Sequence, residues 1–242
     1  MDNHADILAF AAHPDDVEIA ASGTLLAHKL LGQKIAIVDL TAGELGTRGS
    51  AEIRKNEAQR SAVILGLNYR KNLGLQDGFF EINQESLLKV IKEIRFLKPS
   101  LVLANAVADR HPDHGQAAKL VAKAFFLSGL AKIETTYNGI KQEPFRPKQL
   151  LHYIQDQDII PDVVFDISNF MDKKKECIRA FSSQFHQTEG ANDGPRTPIS
   201  GEDFMLFIEG RARDFGRAIN VEFGEGFTTS KPVSVSNLLN LL

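Results

Sequence analysis

The sequence predicts an α/β fold: a doubly wound, mostly parallel sheet with a C-terminal elaboration. Three observations predict it. Short apolar runs of strand length alternate with Ala- and Leu-rich runs of helical length through the first half of the chain. Glycines stand where the helical runs stop, at Gly32 and Gly66. The composition is that of a globular chain: 242 residues with 43% hydrophobic and 24% charged side chains.

The elements follow in order. Residues 6–12 (DILAFAA) form a short apolar run, the signature of a buried strand. Residues 19–31 predict a helix ending at Gly32, and residues 34–41 (KIAIVDLT) a second strand. A loop with Gly43, Gly46 and Gly49 follows. Residues 51–65 predict a helix with Ser50 as N-cap and Gly66 as its stop. Residues 69–75 are a short third strand. Residues 83–97 place Leu87, Leu88, Ile91 and Ile94 at helical spacing before Pro99. Residues 100–105 are a fourth strand and 113–130 an Ala-rich helix. Further on, residues 149–155 and 163–167 read as strands, 169–185 and 204–219 as helices, and 186–203 as a turn-rich loop. One domain is expected, with a core over about residues 1–130 and an extension over about 131–242.

Composition narrows the function classes. The formal net charge of -3 lacks the basic bias of a nucleic-acid binder. The run Lys173-Lys174-Lys175, followed by Glu176, reads as a solvated helix face. The single cysteine, Cys177, excludes an intramolecular disulfide and reads as a small buried residue. The first residues have no basic segment of the kind that opens a signal peptide. No apolar run reaches the roughly 18 residues of a membrane-spanning helix. The expectation is a cytoplasmic protein without membrane or nucleic-acid partners.

Two short motifs carry the chemistry. His13-Pro14-Asp15-Asp16 follows the first strand, and His111-Pro112-Asp113-His114 follows the fourth. Each places ligand-capable side chains three residues apart, a spacing at which they converge on one side of a turn. Alone, a His-Pro pair is a turn and two aspartates are helix N-terminal charges. In the strand order 3-2-1-4, however, strands 1 and 4 are neighbours, and ligands bind beyond their carboxyl ends. His13, Asp16 and His114 would then give a catalytic zinc its three N/O ligands. Fe(II), Mn(II) and Co(II) suit the same set. Asp15, beside a ligand but directed elsewhere, is the candidate general base. His111 is the candidate donor to an oxyanion or to a leaving amine.

Other readings fit less well. The turn HPDDVEIAASG lacks G-x-G-x-x-G and puts carboxylates where a dinucleotide pyrophosphate would sit. A metal-free glycosidase using Asp15 and Asp113 leaves the histidines unused. Of the remaining histidines, His4 and His28 carry no signal, and His152 reads as structural within its strand. His186 borders the turn-rich loop and reads as a surface residue, with a place at the site as the alternative.

HPDDVE, HPDH and the loop TAGELGTRG resemble the PIG-L/LmbE-like zinc deacetylases. That resemblance implies a Rossmann-like enzyme that removes acetyl groups from N-acetylglucosaminyl substrates. The segments DRHPDHGQAAKLV, FRPKQLLHYIQ, FDISNFMDKKKECIRAFSSQF and FGRAINVEFGEGF resemble the bacillithiol-biosynthesis branch. The branch implies hydrolysis of N-acetylglucosaminyl-malate to acetate and glucosaminyl-malate. Free N-acetylglucosamine, chitobiose or another conjugate is the alternative substrate.

By resemblance, His13, Asp16 and His114 match zinc ligands, Asp15 the general base and His111 the second catalytic histidine. Arg54, in EIRKNEA, matches an arginine that contacts substrate, and a guanidinium suits a malate carboxylate. Arg48 and Arg110 are further candidates for that anion, and residues 42–50 for a wall of the sugar pocket. Phe204 falls where some relatives carry an oxyanion-assisting tyrosine, and Pro14 where the branch often has alanine. The family implies a small amino-sugar conjugate as partner and a homo-oligomer, often a hexamer.

Overall fold

In the computed structural model, which describes residues 3–185 and 195–241, strand β1 (Ile7–Ala11) is buried at every position. Successive side chains of a strand point to opposite faces, so β1 needs a cover on both. Leu8 and Phe10 pack with Leu87, Val90 and Ile91 of α3 (Gln84–Leu97) and with Leu120 and Val121 of α4 (Pro112–Leu127). Ile7, Ala9 and Ala11 pack on the other face with Val17, Ala21 and Leu25 of α1 (Asp16–Leu30).

β2 (Ile35–Thr41), β3 (Tyr69–Leu75), β4 (Leu101–Ala104) and β7 (Gln149–Tyr153) run parallel to β1. β5 (Thr136–Tyr137) and β6 (Ile140–Lys141) form a separate small hairpin before β7. β9 (Gly224–Thr228) lies antiparallel between β7 and β8 (Val163–Asp166). The order is β3-β2-β1-β4-β7-β9-β8. β1 and β4 are therefore neighbours, and the chain leaves them in opposite lateral directions. This is the expected doubly wound sheet. The C-terminal part extends the same sheet by three strands.

The helix ends obey local chemistry. In α2 (Ala51–Leu65), Ser50 accepts from the Ile53 N–H, and Gly66 ends the helix at φ 64°. α3 begins with a reciprocal cap between Asn83 and Ser86. Pro112 opens α4, where its missing N–H costs nothing.

Several elements differ from expectation. α1 begins at Asp16 rather than residue 19, so the first motif runs into its first turn. The helix expected over 169–185 is a 3₁₀ turn, Ser168–Phe170, followed by α5 (Met171–Arg179). The chain stops winding there because Glu57 of α2 captures it: Oε1 accepts from the Ser183 N–H at 2.7 Å and Oε2 from its hydroxyl at 2.8 Å. β9 was not expected, since GEGFT lacks strand periodicity. Its glycines meet a packing need: a Cβ at Gly224 would lie 2.7 Å from Val164, and one at Gly226 2.9 Å from the Phe215 ring. That ring belongs to the last helix, α6 (Phe204–Ala218). Cys177 is buried, as expected. Among the described residues, no helix is long and apolar enough to cross a membrane. His186 and the first half of the loop expected over 186–203 lie outside the described residues.

Candidate metal centre

The turn after β1 fixes the first motif. Asp15 adopts φ 119°, outside the range most L-residues occupy. Such a backbone costs of order 1–3 kcal/mol and persists only where the surroundings hold it. Here Arg54 of α2 holds it, donating from Nη2 to Asp15 Oδ2 at 2.8 Å and to the Pro14 carbonyl. The turn aims Asp15 and Asp16 differently. Asp16 reaches across to β4 and β7, where Asn105 donates to its Oδ2 at 2.9 Å and Gln155 to its Oδ1 at 3.0 Å. The His13 N–H donates to Oδ2 as well, at 2.9 Å.

The second motif arrives from β4. His114 sits in the first turn of α4 with Nε2 3.2 Å from Asp16 Oδ1. Its Nδ1–H donates to Asp109 Oδ2 at 2.5 Å. His13 is arranged the other way round. Its Nδ1 lies 3.7 Å from Asp16 Oδ2, while Nε2–H donates to Asp77 Oδ1 at 3.0 Å and lies 3.3 Å from Asp113 Oδ2. The inward nitrogens of both imidazoles thus face one carboxylate, and the outward ones are each tied to another. This is the outer-shell arrangement that orients histidine ligands around a divalent ion. The donor set, two imidazoles and a carboxylate, is the type such ions accept. His111 stands close by: ring nitrogens of His13, His111 and His114 all lie within 4.8 Å of one another.

Electrostatics follow from burial and these partners. Burial pushes the His13 imidazole down, but hydrogen bonds to Asp113 and Asp77 and the Asp16 charge outweigh it and hold it up at about 9. Burial likewise opposes the His114 charge, and Asp16 and Asp109 raise it to about 10. Asp16 is pushed up by burial and pulled far below the usual carboxylate range by both histidines. Asp15 goes the other way: burial raises it to about 7 against the pull of Arg54. His111 is lowered, first by burial and then by the neighbouring imidazoles. Its Nδ1 accepts from the Asp113 N–H at 3.2 Å, so the neutral ring carries its proton on Nε2.

A cavity of about 450 Å³ opens over this cluster. His13, Asp15, Asp16, His111 and His114 line it together. Arg54 and Arg110 line it too, with the Arg110 Nε–H on Asp156 Oδ2 at 2.7 Å. Arg48 is turned to the segment after α5, where its Nε–H donates to the Ser183 carbonyl at 2.9 Å. Phe204 lines the cavity, stacked on Phe185 at 5.4 Å. His152 is buried, with Nδ1 2.8 Å from the Asn105 carbonyl. It supports a residue that holds Asp16.

Sequence reasoning missed Asp77, Asn105, Asp109 and Gln155. Three of them share one signal, a polar residue just past the carboxyl end of a parallel strand: β3 for Asp77, β4 for Asn105 and β7 for Gln155. Asp109 lies farther along the loop after β4 and carries no such mark.

The chain is similar to known proteins in sequence and in fold. The PIG-L family model, described as GlcNAc-PI de-N-acetylase, matches residues 8–125. The chain is 30% identical over 201 residues to a probable N-acetyl-alpha-D-glucosaminyl L-malate deacetylase 2 of Bacillus anthracis, spanning 76% of this chain and 84% of that one. The fold is similar to that of the conserved protein TT1542 from Thermus thermophilus, with TM-score 0.83, 35% identity and 96% and 97% of the two chains covered. It is also similar to N,N'-diacetylchitobiose deacetylase from Pyrococcus horikoshii, with TM-score 0.75, 25% identity and 92% and 83% covered.

Proposed function

The chain belongs to the PIG-L de-N-acetylase family, and from that premise we propose that it hydrolyses the acetamide of N-acetylglucosaminyl-malate. The metal would sit on His13, Asp16 and His114, with zinc the first choice of ion. The observation that carries the deacetylase reading is Asp15: a buried carboxylate, raised to about 7, lining the cavity beside three converging imidazoles. A general base works best with a pKa near the operating pH.

A divalent ion in this cluster supplies Lewis acidity toward water and toward an amide oxygen. The side chains supply the rest. Asp15 accepts the proton of the water that attacks the acetamide carbon. His111 directs Nε2–H toward the oxygen that gains charge as the carbonyl becomes tetrahedral. The C–N bond then breaks, and Asp15 or His111 passes a proton to the departing amine. Acetate and a free amino sugar result. Phe204 brings no hydroxyl to the cavity, which leaves the oxyanion to His111. Arg54 and Arg110, which both line the cavity, are the candidate partners of the substrate's anionic part.

The likeness to the Pyrococcus horikoshii enzyme supports a second reading, a deacetylase of chitobiose-type sugars. Amine release from N-acetylglucosaminyl-malate, N-acetylglucosamine and diacetylchitobiose, compared on zinc-loaded protein, separates them. A kcat/KM at least about tenfold higher for the malate conjugate, or about 1.4 kcal/mol of transition-state preference, is expected. A preference for either other sugar moves the substrate but keeps the chemistry. No amine from any of them overturns the proposal.

A further inference from the structure

Asp77 joins two parts of the site that are distant in sequence. It is buried, 4% exposed, in the loop after β3. Oδ1 accepts from His13 Nε2–H at 3.0 Å. Oδ2 accepts from the Leu45 N–H at 2.9 Å. The Asp77 N–H in turn donates to Glu44 Oε1 at 2.9 Å, and Glu44 Oε2 accepts from the Ala42 N–H at 3.2 Å. Each carboxylate oxygen of Asp77 thus has a separate task, one on the imidazole and one on the glycine-bearing loop 42–50. Leu45, Gly46 and Thr47 of that loop line the cavity.

Asp113 does not duplicate this link. Its Oδ2 also approaches His13 Nε2, at 3.3 Å, but the backbone group it binds is the Gly78 N–H. It supports the imidazole without reaching loop 42–50.

From this geometry we infer that Asp77 is a positioning residue that couples metal occupancy at His13 to the order of loop 42–50. The inference rests on the metal site proposed above. A metal on Nδ1 would pin the ring plane, and with it the Nε2–H that Asp77 already receives at 3.0 Å. The imidazole then holds Asp77, and Asp77 holds the Leu45 N–H that fixes the loop. Such coupling is reciprocal, so a fixed loop also favours metal binding.

The test uses the full chain without substrate. Zinc affinity is measured by chelator competition, and hydrogen exchange over residues 42–50 with and without zinc. In the unaltered protein, zinc is expected to slow exchange in that loop by about threefold or more, a shift in local opening. Asp77→Ala is expected to weaken zinc binding by about tenfold, the low end for loss of an outer-shell partner because Asp113 remains. In that variant zinc is no longer expected to slow exchange in the loop. Glu44→Gln is expected to speed loop exchange in both states while leaving zinc affinity within about threefold, since it does not touch His13.

If Asp77→Ala fails to fold, Asp77→Asn serves. Its single carbonyl oxygen cannot serve both partners in the present geometry. Zinc affinity within about twofold of the unaltered protein, or exchange in loop 42–50 that still slows with zinc, would overturn the inference and leave the deacetylase reading standing. An unaltered protein that binds no zinc would overturn both. Intact coupling without amine release overturns only the proposed reaction.

Discussion

Asp15 and Asp16 are chemically identical neighbours with opposite electrostatics, and the difference lies in where the turn points them. Asp16 faces two imidazoles and two amide donors and stays ionised. Asp15 is buried with Arg54 as its main counter-charge and His13 as a lesser one, and burial dominates. Asp15→Asn is therefore the informative substitution. Asparagine tolerates a positive φ and still accepts from Arg54, but it cannot carry the water's proton. Its kcat is expected to fall by about 10²–10⁴ with zinc affinity nearly unchanged. Single-turnover kinetics beside a zinc titration check this, and a kcat near that of the unaltered protein would remove Asp15 from the base role.

At the scale of elements, loop 42–50 is packed on Arg54 through a missing side chain. Gly43 has φ +64°, and a Cβ there would fall 2.1 Å from Arg54 Nη1 and 2.7 Å from its Cζ. Gly43→Ala must push the guanidinium off Asp15 or move the loop. It is expected to cost about 1–3 kcal/mol in stability and to lower kcat, with zinc content unchanged. Urea denaturation and steady-state kinetics read both, and stability and rate like those of the unaltered protein would show that the contact yields freely. The same elements mark how much the sequence revealed. The two His-Pro motifs were legible because each stands at the end of an apolar run, and the strand order brings those ends together. Asn105 and Gln155 carried only the weak mark of a polar residue past a strand end, because Gln155 meets Asp16 from 139 residues away and only the completed sheet sets that distance. Arg54 was named only through the resemblance, because in EIRKNEA it is one charge among several, and its burial depends on the turn at Asp15. β9 was hidden because its glycines answer to Phe215 and Val164 rather than to strand propensity.

At the scale of the whole molecule, the cluster stitches the turn after β1 to the loops after β3 and β4, so its protonation bears on global stability. Without metal, His13 titrates at about 9 and His114 at about 10, both above the ordinary 6.5. A raised folded-state value means stabilisation that is complete below about pH 6.5 and is lost as pH climbs through those values. Asp15, raised to about 7 from 3.8, acts in the same direction over a lower window, with its contribution lost between those values. Metal-free protein is therefore expected to lose stability between pH 6.5 and about 9. Zinc needs the inward nitrogens of both histidines deprotonated, so binding releases protons at neutral pH and tightens as pH rises. Ligand binding to the folded state stabilises it by about 4 kcal/mol at a free concentration of about 1,000 Kd. The gap in unfolding free energy between zinc-loaded and chelator-treated protein should then widen from pH 6.5 to about 9. Groups away from the site contribute equally to both forms and cancel in that difference. Paired urea titrations across that pH range measure it, and a gap that stays flat or narrows would mean that the two imidazoles do not exchange protons for metal.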